Sequence, residues 1–174
     1  MDLRTERLLL RPFRATDFDA VHAYASDPGV CRWVDWGPNS PEETAVFLGL
    51  AIMSATEQPR RAHRLAVVRS EDDALIGAVD LHVSDPANRR GEMGYIIAGP
   101  AQRRGYATEA ARALLTHGLG ELGLHRITAT CDPDNAGSAG VLRAIGMVQE
   151  GHLRHHFLIR GEWRDRLLFA AVAA

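Results

Sequence analysis

The stretch Gln102-Arg103-Arg104-Gly105-Tyr106-Ala107-Thr108-Glu109 joins an apolar, strand-like run, Glu92 to Ala98, to a strongly helical one, Ala107 to Leu122. A glycine at the joint lets the backbone approach a ligand closely. The first turn of the helix that follows offers an anion backbone NH groups without intrahelical partners, together with the positive end of the helix dipole. Arg103 and Arg104 add charge that does not titrate away. Strand, glycine and helix in this order read as a phosphate cradle, with Gln102, Tyr106, Ala107 and Thr108 around it.

Downstream the chain alternates. The helix gives way to a strand at His125 to Cys131, a helix from Asn135 to Ile145, and strands at Met147 to Ile159 and Glu162 to Val172. Upstream, Arg64 to Arg69 and Leu75 to Val83 are β-like runs joined by the acidic turn Ser70 to Ala74; with Glu92 to Ala98 they predict three neighbouring antiparallel strands. Further back, Ser40-Pro41-Glu42-Glu43 supplies an N-cap serine, a proline at the first helical position and a glutamate at the third. Val46, Phe47, Leu50 and Met53 then follow at helical spacing. Thr16, Asp17 and Asp19 open an earlier helix that Asp27-Pro28-Gly29 stops, and Glu6 to Pro12 is a short opening strand. Helices interleaved with strands call for an α/β fold: one domain over residues 1–174, with a central mixed sheet and helices on its faces.

A chain of 174 residues with 46% hydrophobic content suits one packed domain. Its formal net charge of -2 argues against a nucleic-acid surface, and no apolar run approaches the roughly 20 residues of a membrane helix. All 20 basic residues are arginine, which removes a Walker A lysine and a Schiff-base lysine from consideration. Cys31 and Cys131 match no metal spacing and no signal-like segment opens the chain, so core thiols in a reducing, cytoplasmic setting are expected. His152, His155 and His156 alternate between strand faces without a spaced fourth ligand, so no metal is expected. Gly118-Leu119-Gly120-Glu121-Leu122-Gly123 spells a dinucleotide fingerprint but ends a helix, whereas the fingerprint begins one.

Several short patterns follow one another along nearly the whole chain. They are Thr5-Glu6-Arg7-Leu8-Leu9-Leu10-Arg11, Asp27-Pro28, Gly94-Tyr95, Gln102-x-x-Gly105-x-Ala107, Asn135-x-x-Ser138, Gly146, and Glu150-Gly151 with Arg154. In this order they resemble the GNAT superfamily of N-acetyltransferases, and within it the RimJ/RimL-like branch of ribosomal-protein N-terminal acetyltransferases. The resemblance implies a mixed, mostly antiparallel sheet with helices on both faces, α/β in the wide sense that includes α+β. It also implies acetyl-CoA as cosubstrate and direct transfer of an acyl group to a primary amine, either a protein N-terminus or a small molecule. The cradle's anion then becomes the acyl-CoA pyrophosphate, and transfer runs in a ternary complex without an acyl-enzyme.

Such a reaction must take a proton from an ammonium, stabilise the carbonyl oxygen as charge builds, and return a proton to a thiolate. For the first task the resemblance points to Glu92, two residues before Gly94-Tyr95; by itself Glu92 reads equally well as an exposed charge beside Arg89 and Arg90. His82, with an ordinary pKa of about 6.5, is the second candidate. The resemblance assigns the oxyanion to backbone NH groups around Tyr95, Ile96 and Ile97, beside the pantetheine arm, while the isoleucine side chains read as core. Many relatives use a tyrosine whose place is Leu142 here, whereas the RimJ/RimL-like branch uses a serine, so the resemblance makes Ser138 the general acid or sulfur hydrogen-bond donor and has Asn135 orient the pantetheine amides. Asp132, Asp134 and Asn135 also form an N-cap cluster that folding alone would explain.

Of three tryptophans placed in loops, Trp33 and Trp36 are candidates for an acceptor wall, and Trp163 lies in the final hairpin. Phe157 stands where some relatives offer a glutamate near the substrate. A noncatalytic acyl-CoA-binding module is the alternative reading, and the oligomeric state stays open, a homodimer included.

Overall fold

A computed structural model describes residues 2–173. The N-terminal segment forms two short strands, β1 (Leu3–Arg4) and β2 (Leu8–Pro12), and then the helices α1 (Phe18–Ala25) and α2 (Pro41–Ser54). A meander follows: β3 (Ala62–Arg69), β4 (Leu75–Asp85) and β5 (Arg90–Ile97), antiparallel as the turn signals predict. The C-terminal half alternates as α3 (Tyr106–Leu119), β6 (Arg126–Cys131) and α4 (Ala136–Ala144), and closes with the hairpin β7 (Val148–Ile159) and β8 (Glu162–Val172).

Among the described residues the strands build one eight-stranded sheet in the order β1-β2-β3-β4-β5-β6-β8-β7, in which only β5 and β6 run parallel. Strand alternation divides the interior in two. Leu65, Val67, Val79, Leu81, Met93 and Ile97 point to the face covered by α3 and α4, where they join Leu114, Ile127, Leu142 and Phe169. Ala66 and Val68, with half-buried Ala78 and Ile96, point to the other face against Val21, Tyr24, Leu48 and Ala51 of α1 and α2. Burying a large aliphatic side chain contributes about 1.5–3 kcal/mol, so both layers are substantial sources of stability.

The capping box of α2 closes in both directions: Glu43 N donates to Ser40 Oγ at 3.2 Å and Ser40 N donates to Glu43 Oε2 at 2.8 Å. The helix nevertheless faces the core with a different stripe from the apolar one its spacing suggests. Val46, Leu50 and Met53 are 63%, 52% and 63% exposed, while Thr44, Leu48, Ala51 and Ser54 are buried. Small and hydroxyl side chains face inward because α1 packs against this helix. The Thr44 hydroxyl meets His22 Nδ1 at 2.9 Å, and Ser54 Oγ donates to the Ala51 carbonyl.

β7 also departs from simple alternation. Its pairing with β8 shifts between Leu153 and Phe157, and His155 takes a φ of 48°. His152 Nε2 lies 2.7 Å from Asp165 Oδ2, the His155 amide donates to the other oxygen of that carboxylate, and His156 packs on Phe157. Cys31 and Cys131 are buried free thiols, as expected. Among the described residues no helix is long and apolar enough to cross a membrane.

Candidate active site

The cradle is preformed. Gly105 caps α3 with a φ of 81°, a left-handed conformation that costs an L side chain about 1–2 kcal/mol. A Cβ there would come within 3.3 Å of the Arg7 guanidinium. No side chain caps α3, whereas Ser40 caps α2 and Asn135 caps α4, so the first-turn amides of this 14-residue helix remain directed at the loop. The N-terminal segment braces them from outside. Thr5 Oγ1 donates to Glu109 Oε1 at 2.6 Å, the Arg7 amide and Nε donate to the same carboxylate, and the Arg7 guanidinium lies over the Tyr106 ring. Burial pushes the Glu109 carboxyl up, but the bonds from Thr5 and Arg7 outweigh it and hold the group below the usual range. On the strand side, Gln102 Nε2 donates to the Ile97 carbonyl at 2.9 Å and fixes how the loop leaves β5.

Beside the cradle the sheet opens. β5 and β6 pair only at Arg90–Arg126, Gly91–Ile127 and Glu92–Thr128; beyond that, β5 pairs with β4 alone and β6 with β8 alone. The resulting wedge leaves one edge of Met93 to Ile97 without a strand partner, which exposes backbone groups to a ligand. Across its throat the Tyr95 hydroxyl lies 2.8 Å from Ser138 Oγ and donates to the Ser138 carbonyl at 3.0 Å. Burial pushes the Tyr95 phenol up to about 12, although its bond to Ser138 pulls the other way, so it keeps its proton at neutral pH. Asn135 Oδ1 accepts from the Ser138 amide at 3.0 Å, which seats Ser138 in the first turn of α4.

A single cleft of about 1090 Å³ runs from the cradle through this wedge to the face covered by α1 and α2. Gln102, Arg103, Gly105, Tyr106, Ala107 and Thr108 line one end; Asn135, Ser138, Ile96 and Ile97 line the middle; Glu92, His82, Trp33, Trp36 and Phe157 line the other end. Arg104 alone of the expected site residues lies elsewhere, in a shallow depression with Arg69 and Leu75, where its carbonyl accepts from Arg7. Trp163 is 58% exposed on β8 and takes no part in the cleft lining.

Three groups in the cleft were not singled out by sequence. The Tyr95 hydroxyl reaches Ser138 from a different strand, which no local pattern reveals. Arg166 is 5% exposed, stacks on Phe157 at 4.9 Å and donates to the Trp33 carbonyl at 3.0 Å; burial lowers its pKa, opposed chiefly by Asp132. Asp80 stands on the same face of β4 as His82, in register with Gly94 of β5 and Arg64 of β3. Alternation from His82 was the available signal for Asp80.

A mixed sheet wedged open at its parallel pair, with an anion cradle on one side and a polar floor on the other, defines an acyl-CoA-dependent acyltransferase. The chain matches the family described as "Acetyltransferase (GNAT) domain" over residues 7–148. It is 33% identical over 170 residues to the uncharacterized N-acetyltransferase YnaD of Bacillus subtilis strain 168, covering 98% of this chain and 96% of that one. It is 28% identical over 159 residues to the spermidine N(1)-acetyltransferase of Escherichia coli K12, covering 91% and 82% of the two chains. The structure of Mycobacterium smegmatis RimJ in complex with CoA-disulfide superposes with a TM-score of 0.84 at 27% identity, over 99% of this chain and 86% of that one. The protein belongs to the GNAT acetyltransferase family and is an acyl-CoA-dependent N-acetyltransferase, similar in structure to a RimJ protein.

Proposed function

We propose that the protein moves an acetyl group from acetyl-CoA directly to a primary amine, with the two substrates entering the wedge from opposite faces of the sheet. The observation that carries this reading is the continuity of the cleft from the Gly105 cradle to the Glu92 face, with the Tyr95–Ser138 pair at its throat. The cradle fits a pyrophosphate: uncapped amides and the arginine Arg103 converge on a glycine whose missing Cβ leaves room. Backbone groups at Tyr95 to Ile97 take the pantetheine arm and the carbonyl oxygen, and Asn135 holds Ser138 toward the sulfur. Bound acetyl-CoA supplies the activated acyl group.

The protein's own residues then manage two protons. On the floor, Glu92 and His82, opposite each other in register, carry the proton of the acceptor ammonium toward solvent. At the throat, the Ser138 hydroxyl returns a proton to the leaving sulfur, and Tyr95 donates to the Ser138 carbonyl and keeps the hydroxyl in place. Because the nucleophile is the acceptor itself, no residue is acylated.

Two acceptor classes suit the floor, a peptide N-terminus and a small polyamine, and this chain is similar to proteins named for a ribosomal-protein serine and for spermidine. Trp33 and Trp36 form the wall against which either would lie. Release of free thiol from acetyl-CoA, measured against peptides with free N-termini and small amines, tests the reading. Thiol release with one of these acceptors, and the acetylated product by mass, is the expected result; tight binding of acetyl-CoA with no thiol from any acceptor would make the protein a noncatalytic acyl-CoA-binding module.

A further inference from the structure

We propose that Asp80 is the carboxylate that receives the acceptor's ammonium group and takes its proton before transfer, an assignment that rests on the N-acetyltransfer reading above. Its position singles it out. Asp80 pairs in register with Gly94, whereas Glu92 is two residues nearer the start of β5, where β5 still pairs with β6. A Cβ built on Gly94 would lie 2.8 Å from Asp80 Oδ1, so the carboxylate occupies the space that a side chain at 94 would fill. That space adjoins Tyr95, whose side chain passes to the other face and meets Ser138. Asp80 and the Tyr95–Ser138 pair therefore flank the wedge from opposite sides, one facing the incoming nitrogen and the other the departing sulfur.

The environment agrees with the position. Asp17, Glu109, Asp132 and Glu150 are each paired with an arginine, but among the described residues the Asp80 carboxylate has neither a hydrogen-bond donor nor an ion-pair partner. Its surface is open to the cleft, and the protein crowded around that cleft raises its pKa against the smaller opposing effects of Arg64 and His82. Arg64 from β3, His82 on β4, Glu92 on β5, Tyr24 of α1, Arg166 of β8, and Asp35 and Asn39 before α2 are other polar groups lining the cleft. An unpaired carboxylate with raised basicity in a cleft suits proton acceptance.

The step balances. R–NH3+ gives one proton to Asp80, which passes it by way of His82 and Glu92 to solvent. The freed lone pair forms the C–N bond to the acyl carbon, the C–S bond breaks with its electrons leaving on sulfur, sulfur takes its proton from the Ser138 hydroxyl, and the second proton lost by nitrogen restores that hydroxyl by way of solvent.

Asp80→Asn keeps the shape and removes the basicity. With spermidine and a peptide bearing a free N-terminal alanine as acceptors, its kcat/KM at neutral pH should fall about a hundredfold, and the deficit should shrink as pH rises and supplies neutral amine. Acetyl-CoA affinity should be unchanged, and because the Asp80 side chain is exposed the thermal midpoint should stay close to the wild type's. Gly94→Ala, which displaces the carboxylate, should reproduce the loss and add little to Asp80→Asn. An Asp80→Asn variant with wild-type kcat/KM, or with a deficit that is constant with pH, overturns the assignment alone. A wild-type protein that releases thiol with neither acceptor overturns it together with the transfer reading.

Discussion

The Tyr95 hydroxyl sits 2.8 Å from Ser138 Oγ and 3.0 Å from the Ser138 carbonyl, so a strand on one side of the wedge is tied to a helix on the other. The phenol keeps its proton at neutral pH and has one hydrogen to give, so with that hydrogen on the carbonyl the serine hydroxyl is the donor in the 2.8 Å contact, a bond it would exchange for one to the sulfur. Ser138→Ala should lower kcat by about a hundredfold with acetyl-CoA binding near normal. Tyr95→Phe should lower kcat less, and the double variant should lose less than the two effects added, because both act on one hydrogen-bonded unit. Single-turnover kinetics with calorimetric acetyl-CoA binding would measure this; full activity in Ser138→Ala removes the serine from the mechanism.

Gly105 offers a separate handle on the cofactor end. Valine there must adopt the left-handed φ of 81°, with a Cβ 3.3 Å from the guanidinium that braces Glu109. The KM for acetyl-CoA should rise far more than the KM for the amine. Equal changes in both, or an unchanged cofactor affinity, would count against the cradle.

Much of this architecture was legible because local signals were strong. The capping box at Ser40, the alternating β3 to β5 runs and the Gly105 helix start each carry their own stereochemistry, and each is where the pattern places it. The throat of the cleft was half legible: Ser138 lay in a motif, but the Tyr95 hydroxyl that meets it is 43 residues away and only the wedge brings the two together. Asp80 was hidden for a similar reason, since its surroundings come from Gly94 and Arg64 on adjacent strands. The buried stripe of α2 was misread because spacing reports hydrophobicity, whereas the neighbouring helix selects for small side chains.

His63 makes the fold sensitive to mild acid. Its ring is 5% exposed, its Nδ1 has no partner, and His117 lies edge-on with ring centroids 6.2 Å apart. Burial, helped by Arg60 and His117, lowers its pKa to about 4. Below the ordinary value of about 6.5 the unfolded chain binds a proton that the folded chain refuses, so stability falls as pH drops from about 6.5 toward 4. The loss is on the order of 3 kcal/mol across that window. His63→Leu should flatten the fall in thermal midpoint between pH 7 and 5; a slope equal to the wild type's would show that another group controls it.

Arg160, at the turn between β7 and β8, clasps the loop that carries the aromatic wall. Its NH2 group donates to the carbonyls of Cys31, Trp36 and Gly37 at 2.9, 3.2 and 2.8 Å, which fixes the backbone on both sides of Trp36. A charge-assisted hydrogen bond contributes about 1.5–3 kcal/mol, less where water competes, so losing this clasp should free the loop without unfolding the sheet. Arg160→Ala should raise the KM for the amine about tenfold or more, the equivalent of one such bond, with little change in the KM for acetyl-CoA. Arg160→Lys should rescue part of the loss, because the three bonds leave a single nitrogen and an ammonium has three hydrogens to give, whereas the bond from the second guanidinium nitrogen to the Val34 carbonyl is lost. Faster proteolytic cleavage between Cys31 and Asn39 would report the same release independently of turnover. An Arg160→Ala enzyme with an unaltered amine KM would place the acceptor away from Trp36.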